Sequence, residues 1–231
     1  MQDLVNLLES PESLEDQLVL VEGRLCEQPQ KRSVNDIKWI VLHHSGTPSG
    51  NVDIFRRYHQ SLGWCDVGYH FVITNGNGGP DGEIQEGRPL DMVGAHCKPR
   101  NKDSVGIAFV GDFEKSVPTE KQMKALETLI VKLSDKGIKL PTERIIGHRE
   151  AGVQTLCPGK NLDMNRIRDR FKKDWINHPE ATAIKEMIDK GIMSELEPNH
   201  FFPSEFVKRS NLASAFSKFL AYLRKEGVLK D

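Results

Sequence analysis

The stretch after Pro118 constrains the fold more than any other. Thr119, with Gln122 three residues later, forms a capping box, and Met123, Leu126, Ile130 and Leu133 then recur on one face until Gly137 ends the run. A helix with one apolar stripe must bury it against another element. The available partners are short runs over 37–43, 69–74, 105–110 and 144–147, rich in the β-branched and aromatic residues that favour strands. A further helix is predicted over Val52–Ser61, closed by Gly63, and Asn75-Gly-Asn-Gly-Gly-Pro80 reads as a loop or hairpin tip. Helices interleaved with strands make 35–175 an α/β unit, a mixed central β-sheet flanked by helices.

The flanks differ in pattern. In 1–34, Leu4, Leu7 and Leu8, then Leu14, Leu18 and Val21, recur at helical spacing, so a mostly helical extension is expected, with 29–33 as linker. Composition breaks again near Trp175. Helical stretches over 181–191 and 210–225 suggest a small helical C-terminal unit, 176–231.

Composition excludes several classes. A net charge of −1 carries no polyanion-binding signature, so a nucleic-acid partner is not expected. Hydrophobic content of 38% and charged content of 28% describe a soluble globular chain, without the ~18-residue apolar run that a membrane span needs. The acidic start MQDLVNLLESPESLEDQ lacks the basic and apolar regions of a secretory signal, so synthesis in the cytoplasm without a signal peptide is expected. That start disfavours a disulfide framework, which leaves Cys26, Cys65 and Cys97 as small buried hydrophobes.

Two stretches carry chemistry. In IVLHHSGTP (40–48) adjacent strand residues point to opposite faces, so His43 and His44 cannot share a role. In GHREAGVQTLCPG (147–159) His148 closes an apolar run, and Cys157 follows nine residues later in a Pro-Gly turn. Imidazole and thiolate suit Zn²⁺, and three such ligands would leave the fourth tetrahedral position open, as catalytic sites do. From spacing alone an ordinary structural role is the default reading, because no local C-x-x-C or H-E-x-x-H motif is present.

The segments IVLHHSGTP, GWCDVGYHFVI, VGAHCKPRNKDSVGIAFVGDF and IGHREAGVQTLCPG, in this order, resemble the type 2 N-acetylmuramoyl-L-alanine amidases. These zinc amidases of peptidoglycan include phage lysins and the animal peptidoglycan recognition proteins. The resemblance covers roughly 35–175 and implies one Zn²⁺ per chain, held by His43, His148 and Cys157. His44 becomes a structural neighbour on the other face. Tyr69, in G-Y-H, would place its hydroxyl beside the metal. Thr155 would be a neutral donor to the oxyanion where phage members often carry Lys. His96, in G-A-H, would line the substrate groove, with Arg100 and Asn101 as further groove residues. His59 reads as solvated or at the core edge, and Arg56 and Arg57 as a solvated face. One departure is the spacing from His148 to Cys157, a residue longer than the family's, which places an insertion within 150–154.

The implied reaction is hydrolysis of the amide between N-acetylmuramic acid and L-alanine. The alternatives are a non-catalytic peptidoglycan-binding protein and a cytoplasmic amidase that recycles muropeptides. The tail over 183–216 resembles one S-layer homology motif in Gly191-Ile192, Phe201, Pro203 and Val207-Lys-Arg-Ser-Asn-Leu212, departing at Lys208 and Asn211. That implies binding of a secondary wall polymer, with Arg209 as its donor; the alternative is a helical cap on the amidase domain. Together these point to an endolysin of a phage or prophage, released through a holin.

Overall fold

The computed structural model describes residues 18–21, 24–172, 181–193 and 209–228. Its centre is a five-stranded sheet of β3 (Trp39–His44), β4 (Phe71–Ile73), β5 (Ile84–Glu86), β6 (Ser104–Phe109) and β7 (Ile145–Gly147), in the order β5-β4-β6-β3-β7. β4, β6, β3 and β7 run parallel, and β5 pairs antiparallel with β4. The parallel strands are covered on both faces, which is why Ile40, Val41 and Leu42 form a continuous apolar run without alternation.

On one face, Ile40, Leu42, Ile107 and Phe109 pack against Leu126, Leu129 and Leu133 of α2 (Glu120–Asp135). Each such leucine contributes about 1.5–3 kcal/mol of burial. The predicted capping box is present: Thr119 Oγ1 accepts the Gln122 N–H at 3.0 Å, and Gln122 Oε1 accepts the Thr119 N–H at 3.1 Å. Gln122 also donates from inside the core to the carbonyls of Ile73 and Val110 at 3.1 and 2.9 Å, tying the helix to two strand ends. The other face is covered by α1 (Val52–Ser61) through Phe55 against Val67 and Val72, and by Cys97 against Val41 and Ile146.

The mixed sheet flanked by helices is the predicted architecture. Two elements were not read from the sequence. β5 is a three-residue edge strand with half-exposed side chains, too short for a periodicity. α3 (Met164–Arg170) spans seven residues, with Asp163 Oδ1 accepting the Asn165 and Arg166 N–H groups at 2.9 and 3.3 Å.

The N-terminal expectation is corrected over 18–27, while Leu4, Leu7, Leu8 and Leu14 lie outside the described residues. Leu18–Val21 (β1) and Arg24–Glu27 (β2) form an antiparallel hairpin, not a helix. The apolar spacing fits either period over so few residues, and the strand signal was the Gly23 between the two runs. The expectation for Cys26 and Cys65 is corrected with it, since Cys26 on β2 is disulfide-bonded to Cys65, just past α1, whereas Cys97 is a free, buried cysteine as expected. Nor is 29–33 a free linker: Arg32 enters the fold, donating to the carbonyls of Leu90, Asn101 and Ser104 at 2.9, 3.3 and 2.7 Å.

In the C-terminal part, α4 (Ala181–Asp189) lies against α2, with Ala181 and Ile184 buried in the same core. Lys185 is buried too, donating to Asp189 at 2.8 Å and standing 4.0 Å from Glu127 of α2. α5 (Arg209–Lys225) meets α4 where the Lys190 ammonium sits 5.3 Å from the Tyr222 ring centroid. Most of the S-layer-like positions, including Phe201, Pro203 and the Arg209 side chain, lie outside the described residues. Among the described residues, no helix is long and apolar enough to cross a membrane.

Candidate metal centre

Parallel pairing brings the C-terminal ends of β3 and β7 side by side, and Leu42 pairs with Gly147 one residue before each chemical residue. His43 therefore leaves the end of β3 beside His148, the first residue of a 3-10 turn over His148–Ala151, with ring centroids 4.5 Å apart. Cys157 closes the group from the following loop, its Sγ 3.5 Å from Nδ1 of His43. Ligand atoms of His43, His148 and Cys157 all lie within 4.8 Å of one another.

Several contacts hold this loop in place. The Arg149 N–H donates to the Cys157 carbonyl at 3.0 Å. The Cys157 N–H donates to Oγ1 of Thr155 at 3.1 Å. Glu150 accepts the Gly147 N–H at 2.9 Å and both terminal nitrogens of Arg168 at 3.0 and 3.1 Å. The sequence reading missed Glu150 and Arg168, because α3 itself went unread.

Burial disfavours charge on all three groups. Burial, with the nearby charges of His148 and His44, holds His43 well below the usual imidazole value, and burial does the same to His148. Both rings are then neutral near pH 7 and keep a lone pair for coordination. Burial pushes the Cys157 thiol up to about 11, against weaker opposing effects of the His44 backbone and Arg149. Such a thiol keeps its proton near neutrality until a cation replaces it. Two neutral nitrogens and one sulfur make a donor set that fits Zn²⁺.

His44 points the other way, as alternation requires. Its Nδ1 accepts the Phe113 N–H at 3.0 Å. Tyr69 stands on the ligand side, with ring centroids 5.3 Å from His43. Burial raises its phenol above the ordinary value, with Cys157 and Tyr58 adding to the effect, so it remains a proton donor. His59 is buried rather than solvated, and its Nδ1 accepts the Gly68 N–H at 3.0 Å, one residue before Tyr69.

The three groove candidates make contacts within the fold. His96 is buried behind His43, its Nδ1 3.0 Å from His43 Nε2. Asn101 turns its Oδ1 inward to accept the backbone N–H groups of His96 and Cys97 at 2.9 and 2.8 Å. Arg100 pairs with Asp103 at 3.1 Å and lies 4.4 Å from the Trp39 ring, at the opposite end of β3 from His43. A polar residue near a motif histidine reads as a ligand contact in sequence; here Asn101 holds the loop's own backbone, while His96 and Arg100 are taken up by side chains of the fold.

A family model described as N-acetylmuramoyl-L-alanine amidase matches residues 33–160. The chain is 32% identical over 150 residues to peptidoglycan recognition protein 1 of Bos indicus, covering 61% of this chain and 76% of that one. Among solved structures, the N-acetylmuramoyl-L-alanine amidase LysC from Clostridium intestinale superposes with a TM-score of 0.54 at 30% identity, covering 62% of this chain and 91% of its own. The endolysine N-acetylmuramoyl-L-alanine amidase LysCS from the same organism gives 0.53 at 28% identity, covering 62% and 89%.

Proposed function

The chain belongs to the N-acetylmuramoyl-L-alanine amidase family, and on that premise we propose that it cleaves the amide between N-acetylmuramic acid and L-alanine in peptidoglycan. The observation that carries this is the convergence of His43, His148 and Cys157 within 4.8 Å, with Tyr69 beside them. These three residues would hold one Zn²⁺, which when bound supplies Lewis acidity toward water and the scissile carbonyl.

The chain's own groups supply the rest. Tyr69, protonated by virtue of its burial, donates toward charge that develops on the carbonyl oxygen or, through water, toward the departing amine. Protonation matters because an amine leaves poorly as an anion. Thr155 uses its oxygen to receive the Cys157 N–H and keeps its hydroxyl proton for donation. His44 and Glu150 position the two loops without touching substrate.

The endolysin role has support from the likeness to LysCS. The Cys26–Cys65 disulfide suits action outside a reducing cytosol and disfavours cytoplasmic recycling of muropeptides. Binding of a secondary wall polymer through 176–231 rests on the sequence resemblance alone. Non-catalytic recognition is the competing reading, since a recognition protein is among the similar chains. Mass spectrometry of digested wall decides between them. Lactyl and L-alanine ends that appear with the protein, vanish with chelator and return with Zn²⁺ support the enzyme; binding without new amine ends overturns it.

A further inference from the structure

Behind the ligand cluster, the 94–106 segment encloses the His96 ring in a slot made for it. A Cβ on Gly94 would stand 2.5 Å from His96 Cδ2, and one on Gly106 would stand 2.4 Å from the same atom. Only two glycines leave that width. Asn101 grips the backbone that presents the ring, and Arg32 donates to the Ser104 carbonyl at 2.7 Å. Both ring nitrogens are engaged. His96 Nδ1 meets His43 Nε2 at 3.0 Å, and His96 Nε2 meets Oγ of Ser104 at 3.5 Å.

The direction of this chain can be worked out from its far end. The Ser104 hydroxyl donates to the Arg100 carbonyl at 2.6 Å, much its shorter contact, and a carbonyl has no proton to return. Ser104 Oγ is therefore left to accept the Nε2–H of His96. A neutral imidazole carries a single N–H, so His96 Nδ1 is an acceptor and takes the Nε2–H of His43. The lone pair of His43 then lies on Nδ1, the nitrogen that faces Cys157 at 3.5 Å.

We propose that His96 and Ser104 are positioning residues that fix the tautomer and ring orientation of His43, so that it presents Nδ1 as a metal ligand. This rests on the zinc-amidase reading. With the opposite tautomer, an N–H would point into the cluster and block coordination. A partner on the outer nitrogen commonly governs the orientation of a ligating histidine.

The test begins on the metal-free protein, where two-bond ¹H–¹⁵N spectra report which ring nitrogen carries the proton. His43 and His96 are both expected to be protonated at Nε2. Zinc affinity is then measured by chelator competition in His96→Gln, whose side-chain oxygen accepts the same proton, and in His96→Leu, which has no acceptor. Affinity is expected to fall about 10- to 100-fold in the leucine variant and to stay within a few-fold of wild type in the glutamine variant. Ser104→Ala should shift His43 toward a mixture of tautomers, which keeps the idea open to refutation if His96→Leu does not fold. An Nδ1 proton on His43 in the wild-type protein overturns it, as does equal weakening in the Gln and Leu variants. Failure of the wild-type protein to take up zinc would overturn the proposed function, while an Nε2 proton on His43 in that sample would still uphold the tautomer.

Discussion

His44 takes the backbone N–H of Phe113 on its Nδ1 at 3.0 Å, while His43, one residue earlier, turns its Nδ1 toward Cys157. Adjacent histidines thus divide the work: one anchors a loop and the other faces the candidate metal site. His43→Ala is expected to abolish stoichiometric zinc. His44→Ala should retain it and cost about 1 kcal/mol through the lost hydrogen bond. Metal analysis beside thermal denaturation checks both, and equal zinc loss in the two variants would mean the wrong strand face was assigned.

Cys157→Ser should fold but hold zinc poorly, because the hydroxyl replaces the only soft donor of the group. Activity on wall should fall together with metal content. Full zinc and full activity in this variant would remove Cys157 from the ligand set.

Tyr69→Phe deletes one hydroxyl from a partly buried ring. Zinc content and wall binding should be preserved, with kcat lowered about 10²-fold, as expected for a donor that acts in the transition state. An unchanged kcat would assign Tyr69 to packing against His43 and His59.

Glu150 has a definite pH signature. Burial pushes its carboxyl up, but the Arg168 guanidinium and the Gly147 N–H outweigh that and bring it below the ordinary value. A depressed carboxylate contributes stability above its unfolded pKa and loses it as pH falls through the folded one. Acid denaturation should therefore be shallower in Arg168→Leu than in wild type, with little difference in slope near neutrality. Identical acid limbs in urea titrations at stepped pH would contradict the pairing.

The disulfide closes a sequence separation of 39 residues, for which the chain-entropy relation gives about 4 kcal/mol. Cys26→Ser with Cys65→Ser should lower the melting temperature markedly, and adding reductant to the wild type should reproduce the drop. Zinc binding should survive, because Cys26 and Cys65 lie outside the ligand group. A melting point indifferent to reductant would count against this bond.

Removal of 176–231 should destabilise the rest of the chain. It would uncover the α2 surface that Ala181 and Ile184 cover and leave Glu127 without its buried Lys185 neighbour. Ile184→Asp should act in the same direction, by several degrees of melting temperature. If the truncated protein instead melts like wild type and loses activity on intact wall only, a wall-targeting module gains the argument.

Sequence alone determined the parts of this protein that depend on near neighbours. The capping box at Thr119, the apolar stripe of α2 and the opposite facing of His43 and His44 follow from periods of 3.6 and 2. The four motifs also name the ligand set, which the strands then bring together. Tertiary structure decided everything that depends on register and on the return path of loops. The LVLV run can pair as a strand because a partner strand lies across from it, and Cys26 meets Cys65 only once that hairpin is placed. Arg100, Asn101 and His96 look alike in sequence as groove residues. The loop that carries them folds back on itself, and so one stacks on Trp39, one holds backbone and one stands behind His43. Side-chain direction in a loop is set by long-range contacts that no local period encodes.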